Sequence, residues 1–248
     1  MSWLPRSSSV PLHRRWIGEI VHFGQKSHVV GCNWTINVAP VVAARKQQQP
    51  PVSWVAIWVR AMALTGRQWP VLRTCYLPYP WPRMYVHPFT VAALVVERQW
   101  RDTSAVFLDT IKNPEALSIP EIDETFRSLR ELPVESVGAF RHLIRISKFP
   151  LVLRRFLWSI PLYWSGRLRS KYMGSFSINF LRAPRFAVVQ STTPISFSIL
   201  FGLVEPNGDM LVQLFWDHRV LDGMDANRLI RDIEAVMNAE IAAELGSP

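Results

Sequence analysis

The run from residue 195 to residue 241 constrains the fold more than any other part of the chain. "ISFSILFGLV" (195–204) and "MLVQLFW" (210–216) are rich in β-branched and aromatic residues and flank "EPNGD" (205–209). Asn207-Gly208 at the centre of that spacer is the strongest short hairpin signal, because the favoured two-residue turns need positive φ. Two antiparallel neighbours are therefore expected. After "DHRVLDG" (217–223), Ala226, Leu229, Ile230, Ile233, Val236, Met237 and Ile241 recur at three- and four-residue spacings, the buried stripe of a helix. A hairpin that runs straight into an amphipathic helix points to an α+β domain.

The rest of the chain fits that class. "SHVVGCNWTINV" (27–38), "TVAALVVERQW" (90–100), "SFSINF" (175–180) and "RFAVVQ" (185–190) have sheet character. "WVAIWVRAMALTG" (54–66) is expected to be a largely buried helix, with Ser53 as its N-cap and Gly66 as its stop. Ile122, Phe126 and Leu129 space a second helix within 114–130, whereas 76–89 is too proline-rich for a central strand. No repeat or Gly/Ser linker divides the 248 residues, so one domain spanning 1–248 is expected. Cys32 and Cys75 supply neither a disulfide framework nor a CxxC metal pair.

The formal charge of +9 favours anionic partners: nucleic acid, anionic lipid or a phosphorylated cofactor. No basic arm, zinc-finger spacing or RNP-like string is present, which argues against nucleic acid. The charge concentrates in 141–171, where Arg141, Arg145, Lys148, Arg154, Arg155, Arg167, Arg169 and Lys171 alternate with Phe149, Leu151, Phe156, Trp158, Tyr163 and Trp164, without an acid. Three readings compete. The segment is a helix pair with a solvated basic face and an apolar core face. Alternatively, it is a peripheral contact with an anionic membrane. In the third reading, Arg167, Arg169 and Lys171 meet the phosphates of a phosphorylated cofactor. No run approaches the ~20 apolar residues of a membrane span, and "MSWLPRSSSVPLHRRW" lacks the hydrophobic core of a signal peptide. The expectation is a cytoplasmic protein, peripheral to a membrane under the second reading.

"WDHRVLDGMDANRL" (216–229) gathers His218, Asp222 and Asp225 around Gly223 where a strand gives way to a helix. A strand end is a rigid support for a reactive group. Gly223 can take positive φ and reverse the chain, and Asp225 can cap the helix. These residues suit a polar turn, a metal site or a catalytic base. A metal has the weakest case, since no second His/Cys pair lies at ligand spacing.

"DHRVLDG" resembles the HxxxDG motif of acyltransferases with the chloramphenicol acetyltransferase fold. With its leading Asp-His-Arg it is most similar to the catalytic domain of the dihydrolipoamide acyltransferases of 2-oxoacid dehydrogenase complexes. "PLHRRWIGEIVHFGQKSHVVGCNWTINV" (11–38), "VSWVAIWVRAMALTGRQWPVL" (52–72), "PEALSIPEIDETFRSL" (114–129) and "GSFSINFL" (174–181) are similar to segments of that domain in the same order. The resemblance implies a two-layer sandwich, a mixed sheet flanked by helices, assembled as a homotrimer with the active site between subunits.

It further implies transfer of an acyl group from a thioester to a hydroxyl, thiol or amine. His218 would be the general base. Asp222 would be structural and held by an arginine, Arg14 or Arg15, while Gly223 lets the turn close. Where the family reads roughly F-T-I-S, this chain has "FSIN", placing Ser177 and Asn179 at the positions of the oxyanion-stabilising strand. Ser175, Ser177 and Asn179 would share one strand face, or merely face solvent. Ser175, Thr192, Gly223 and His28, with Arg167, Arg169 and Lys171, are the candidates for substrate or CoA contact. No tightly bound cofactor is implied. CoA, an acyl carrier protein or a lipoyl domain on another chain would present the thioester, since no lipoyl or subunit-binding segment is recognisable here. The alternatives are a non-catalytic scaffold of the same fold and a basic protein that binds a membrane surface or another anionic ligand.

Overall fold

The computed structural model describes residues 9–183, 188 and 191–246. Its frame is a six-stranded sheet in the order β1-β8-β7-β6-β4-β5. The strands are β1 (Val29–Asn37), β4 (Val91–Trp100), β5 (Thr103–Lys112), β6 (Phe176–Phe180), β7 (Phe197–Val204) and β8 (Asp209–Asp217). β4, β6 and β7 run parallel, and the other pairings are antiparallel, so the sheet is mixed as expected. The Asn207-Gly208 turn joins β7 to β8, and Gly208 sits at φ +90°, a conformation open to glycine. The proline-rich region forms β2 (Thr74–Leu77) and β3 (Arg83–Val86), a separate hairpin outside the main sheet. Of the expected strand at 185–190, all but Val188 lies outside the described residues.

Alternation sorts the strands into two faces. Leu94, Ile178, Ile199 and Leu214 pack toward α3 (Trp54–Gln68) and α8 (Gly223–Val236), where Trp58 stacks on Phe201 at 5.5 Å. α4 (Ile119–Glu131) covers the β4–β5 end of the sheet. On the other face, Val95, Ser177, Ser198 and Phe215 look toward α1 (Leu12–Gly24) and residues 191–195. Between α3 and α4 the core is dry: Ala56, Ile57, Trp58, Ile119 and Ile122 are all fully buried.

Helix boundaries follow the expected caps in part. Ser53 caps α3 through its side chain, which accepts from the Ala56 amide. Gly66 does not stop that helix. It lies inside it, where any side chain would strike Thr90 Cγ2, and α3 runs on to Gln68 before Trp69-Pro70 ends it. The N-cap of α8 is Asp222, not Asp225, which pairs with Arg228 within the first turn. Gly223 opens α8 without positive φ, so the reversal before it is made without glycine's freedom.

The basic segment departs furthest from expectation. It folds as α5 (Gly138–Ser147), α6 (Leu151–Ser159), a π-type turn (Ile160–Trp164) and α7 (Gly166–Met173). α6 reverses the usual pattern, for Arg154 is 8% exposed while Val152 and Phe156 are 81% and 61% exposed. Arg154 is buried because it meets Glu19 of α1, donating from Nε and Nη2 to Oε1 at 3.2 and 3.1 Å, with Nη1 on the Phe149 carbonyl.

Removing Arg154 leaves the buried Glu19 carboxylate with only the half-exposed Arg155, 3.6 Å away. Arg154→Met is therefore expected to lower unfolding free energy by about 3–5 kcal/mol. Adding Glu19→Leu should recover most of that loss, as read from urea midpoints around a double-mutant cycle.

Candidate active site

β8 ends at Asp217, whose carboxylate is 1% exposed. Arg219 turns back onto it, Nε to Oδ1 at 2.8 Å and Nη2 to Oδ2 at 2.6 Å, and the Arg219 amide also donates to Oδ1. The Asp217 carbonyl accepts from the amides of Val220 and Leu221, and the Trp216 indole donates to the Leu221 carbonyl. This closed turn holds His218 at the strand end. The His218 amide donates to the carbonyl of His28, which precedes β1.

The His218 ring is 48% exposed, with Nδ1 3.5 Å from an Asp222 oxygen, and Asp222 is 82% exposed. Nδ1–H directed at that carboxylate would leave Nε2 with its lone pair free, the tautomer a base requires. The arginine partner expected for Asp222 is not formed. Arg15 donates to the carbonyls of Val10 and Ser147, and the buried carboxylate of the motif is Asp217.

A second polar group lies on β6 and β7. Ser177 donates to Ser198 Oγ at 2.8 Å, and Asn179 Nδ2 reaches the same oxygen at 3.0 Å. The trio floors a cleft of about 320 Å³ whose walls include Trp16, Ile20, Val106, Thr192 and Phe215. Thr192, one of the expected substrate contacts, lines this cleft. Its carbonyl presses against the end of α1, where a side chain at Gly24 would come within 1.6 Å of the oxygen. Ser175 is occupied elsewhere. Its hydroxyl exchanges hydrogen bonds with the amide and carbonyl of Val91, stitching β6 to β4 away from the cleft.

His218 and His28 do not line this cleft. Ser177 pairs with Ser198 and Ser198 with Phe215, three residues before His218. At about 3.3 Å per residue and about 4.8 Å between strands, the backbones of His218 and Ser177 are about 14 Å apart. By the same geometry His218 and Asn179 are about 19 Å apart, so within one chain they cannot share a reacting atom.

The expected donor-phosphate cations divide. Arg169 is fully buried and donates to the carbonyls of Tyr76, Leu162 and Pro194, and burial draws its pKa below the ordinary guanidinium value. It is a structural arginine. Arg167 and Lys171 are exposed and line a pocket of about 420 Å³ together with Lys112, His87 and Phe89.

No family model matches the chain, and no curated protein matches it. Solved structures do. The dihydrolipoamide acetyltransferase of Azotobacter vinelandii superposes with a TM-score of 0.67 at 14% identity, covering 97% of this chain and 94% of that one. A truncated catalytic core of the 2-oxoacid dehydrogenase complex from Thermoplasma acidophilum gives 0.62 at 17% identity, over 95% and 99%. Chloramphenicol acetyltransferase gives 0.50 at 10% identity, over 93% and 99%. The chain has the chloramphenicol acetyltransferase fold.

Two residues of the site in this fold were missed from sequence. Ser198 had a visible cue, because "FSI" at 176–178 recurs at 197–199 and the two copies pair in register. Asp217 had a weaker one, an acid closing an otherwise apolar strand. Among the described residues, no group of three or more His, Cys, Asp or Glu side chains could hold a metal ion.

Two glycines of α1 separate local propensity from the packing of the cleft. Nothing lies within 4 Å of a side chain built at Gly18. Gly18→Ala should stabilise the protein by about 0.5–1 kcal/mol through helix propensity. Gly24→Ala should cost about 1–3 kcal/mol, because the 192–193 backbone must move. Opposite shifts of the two thermal midpoints are the expected result.

Proposed function

We propose that this protein is an acyltransferase, moving an acyl group from a thioester donor to a hydroxyl, thiol or amine acceptor with His218 as general base. The observation that carries the proposal is His218 itself, fixed by main-chain bonds at the end of β8 with its ring accessible and Asp222 beside Nδ1. Crystallographic and enzymatic work on the Azotobacter vinelandii protein addresses a serine, a histidine and an asparagine four residues after it as participants in catalysis. His218 and Asp222 have that spacing here, and Ser177, Ser198 and Asn179 offer the hydroxyl and amide groups.

In the proposed step, Nε2 of His218 removes the proton from the acceptor X–H as X attacks the acyl carbon of the thioester. The oxygen becomes an alkoxide that accepts hydrogen bonds from the Ser177 hydroxyl or the Asn179 amide, aided by Ser198. The tetrahedral adduct then expels the sulfur, which takes the proton from the His218 imidazolium. The products are X–acyl and a free thiol. A general base in this role contributes roughly 10²–10⁴ in rate. Arg167, Lys171 and Lys112 would favour a phosphorylated donor such as CoA or an acyl carrier, although a lipoyl thioester needs no such cations.

The distances within one chain favour a site shared between chains, and hence an oligomer; the family resemblance makes it a trimer. His218 of one subunit would face the Ser177–Ser198–Asn179 cleft of its neighbour. Should no transfer occur, the hydrogen bonds that already engage Ser177 and Asn179 would favour the non-catalytic scaffold.

Complementation tests this arrangement. His218→Ala alone, and Ser177→Ala with Asn179→Ala, should each reduce thioester-dependent transfer by about 10²-fold or more. Unfolding the two inactive proteins together and refolding them as a mixture should regenerate about a quarter of the sites if each is built from two chains. A mixture that stays inactive would place the whole site within one chain or remove His218 from the chemistry.

A further inference from the structure

α6 contradicts the ordinary rule for a surface helix. It buries an arginine and exposes Val152 and Phe156, with Phe149, Leu151 and Leu153 also exposed beside them. The helix is held in this orientation from below, by the Arg154–Glu19 pair and by Trp158 in the core. The chain then enters the π-type turn, where exposed Trp164 stacks on exposed Tyr79 at 5.5 Å and its carbonyl accepts from Arg83.

Around these apolar groups the charge has one sign. Arg141, Arg145, Lys148, Arg155, Arg167 and Lys171 are exposed. Across α1, α5, α6 and α7 the sole acid is Glu19, and it is buried. The field of these cations reaches inward: His142 is held below the ordinary histidine pKa by burial first, then by Arg145 and Lys171.

We infer that the α5–α6 face is a membrane-docking surface, which lays Val152, Phe156 and Leu151 into the headgroup region of an anionic bilayer while Arg141, Arg145 and Lys148 meet lipid phosphates. Apolar side chains ringed by exposed Lys and Arg are the composition that such an interface selects. A second copy of the chain is a poor occupant, since face-to-face pairing would set these cations against others of the same sign. No helix among the described residues is long and apolar enough to cross a membrane, so the contact is peripheral. The inference does not rest on acyl transfer. If both hold, the acceptor or acyl chain would be drawn from the lipid phase.

The full chain is to be sedimented with vesicles of phosphatidylcholine alone and with about 25 mol% phosphatidylglycerol, at about 0.1 M salt. Binding to the anionic vesicles and not to the neutral ones is expected. Val152→Ser with Phe156→Ser should weaken it about tenfold or more. Arg145→Gln and Lys148→Gln should each weaken it about fivefold. All four positions are exposed, so the thermal midpoint should hold and report that the fold survives. The inference is overturned if the unaltered protein ignores anionic vesicles or if these variants bind as well as it does. It is equally overturned if Val152→Ser with Phe156→Ser lowers the mass in sedimentation velocity without vesicles, since the face would then seat another copy.

Discussion

A carboxylate at the end of β8 organises the half of the molecule that carries the candidate site. Asp217 is almost wholly removed from water, and an ion in that position costs several kcal/mol unless it is paired in good geometry. Arg219 supplies that pairing and in doing so bends the chain immediately after His218. Its guanidinium also lies 4.2 Å from the centre of the Tyr76 ring. The Tyr76 carbonyl accepts from Arg169, and Arg169 also holds the Pro194 carbonyl, next to the Thr192–Thr193 wall of the cleft. Two arginines thus join the turn that carries His218, the β2–β3 hairpin and the wall of the cleft into one continuous support.

That support explains what the sequence could and could not disclose. Strand and helix patterns are local, and so the hairpin at Asn207-Gly208, the α8 stripe and the Ser53 cap are legible from spacing alone. The roles of arginines are not local. Arg169 finds an acceptor 93 positions away at Tyr76, and Arg154 finds Glu19 at a separation of 135. Nothing in the composition of 141–171 separates those two from the exposed cations around them. Equally, Gly66, Gly223 and Asp225 carry the residue types of a stop, a turn and a cap, yet tertiary packing moved each boundary by a few residues. His218 was legible because motif and strand end coincide. Its distance from Asn179 was not, because it depends on strand order, which sets side by side segments that the sequence keeps far apart.

Sheet geometry also bears on why such a site would be divided. The backbone of His218 at the end of β8 is held by main-chain bonds to His28 and within the 217–221 turn, which keeps the proposed base from leaning toward β6. Donors on the pleated face of β6 and β7 are equally fixed. In the proposed arrangement, an oligomer interface would bring the two rigid halves together without loosening either.

α6 shows the opposite allocation of stability. Turning Arg154 outward would relieve the desolvation of two ions, yet Trp158 shares the buried side of the helix and would leave the core with it. The chain holds Arg154 and Trp158 under the helix and leaves Leu151, Val152 and Phe156 in solvent. Exposed single apolar residues need no explanation, but several side by side on a helix that buries an arginine do. The ion pair to Glu19 fixes which way α6 faces, and what it presents outward is an apolar ridge within a cationic border. The proposed membrane contact gives that ridge a physical rationale, since an anionic bilayer would take it out of water.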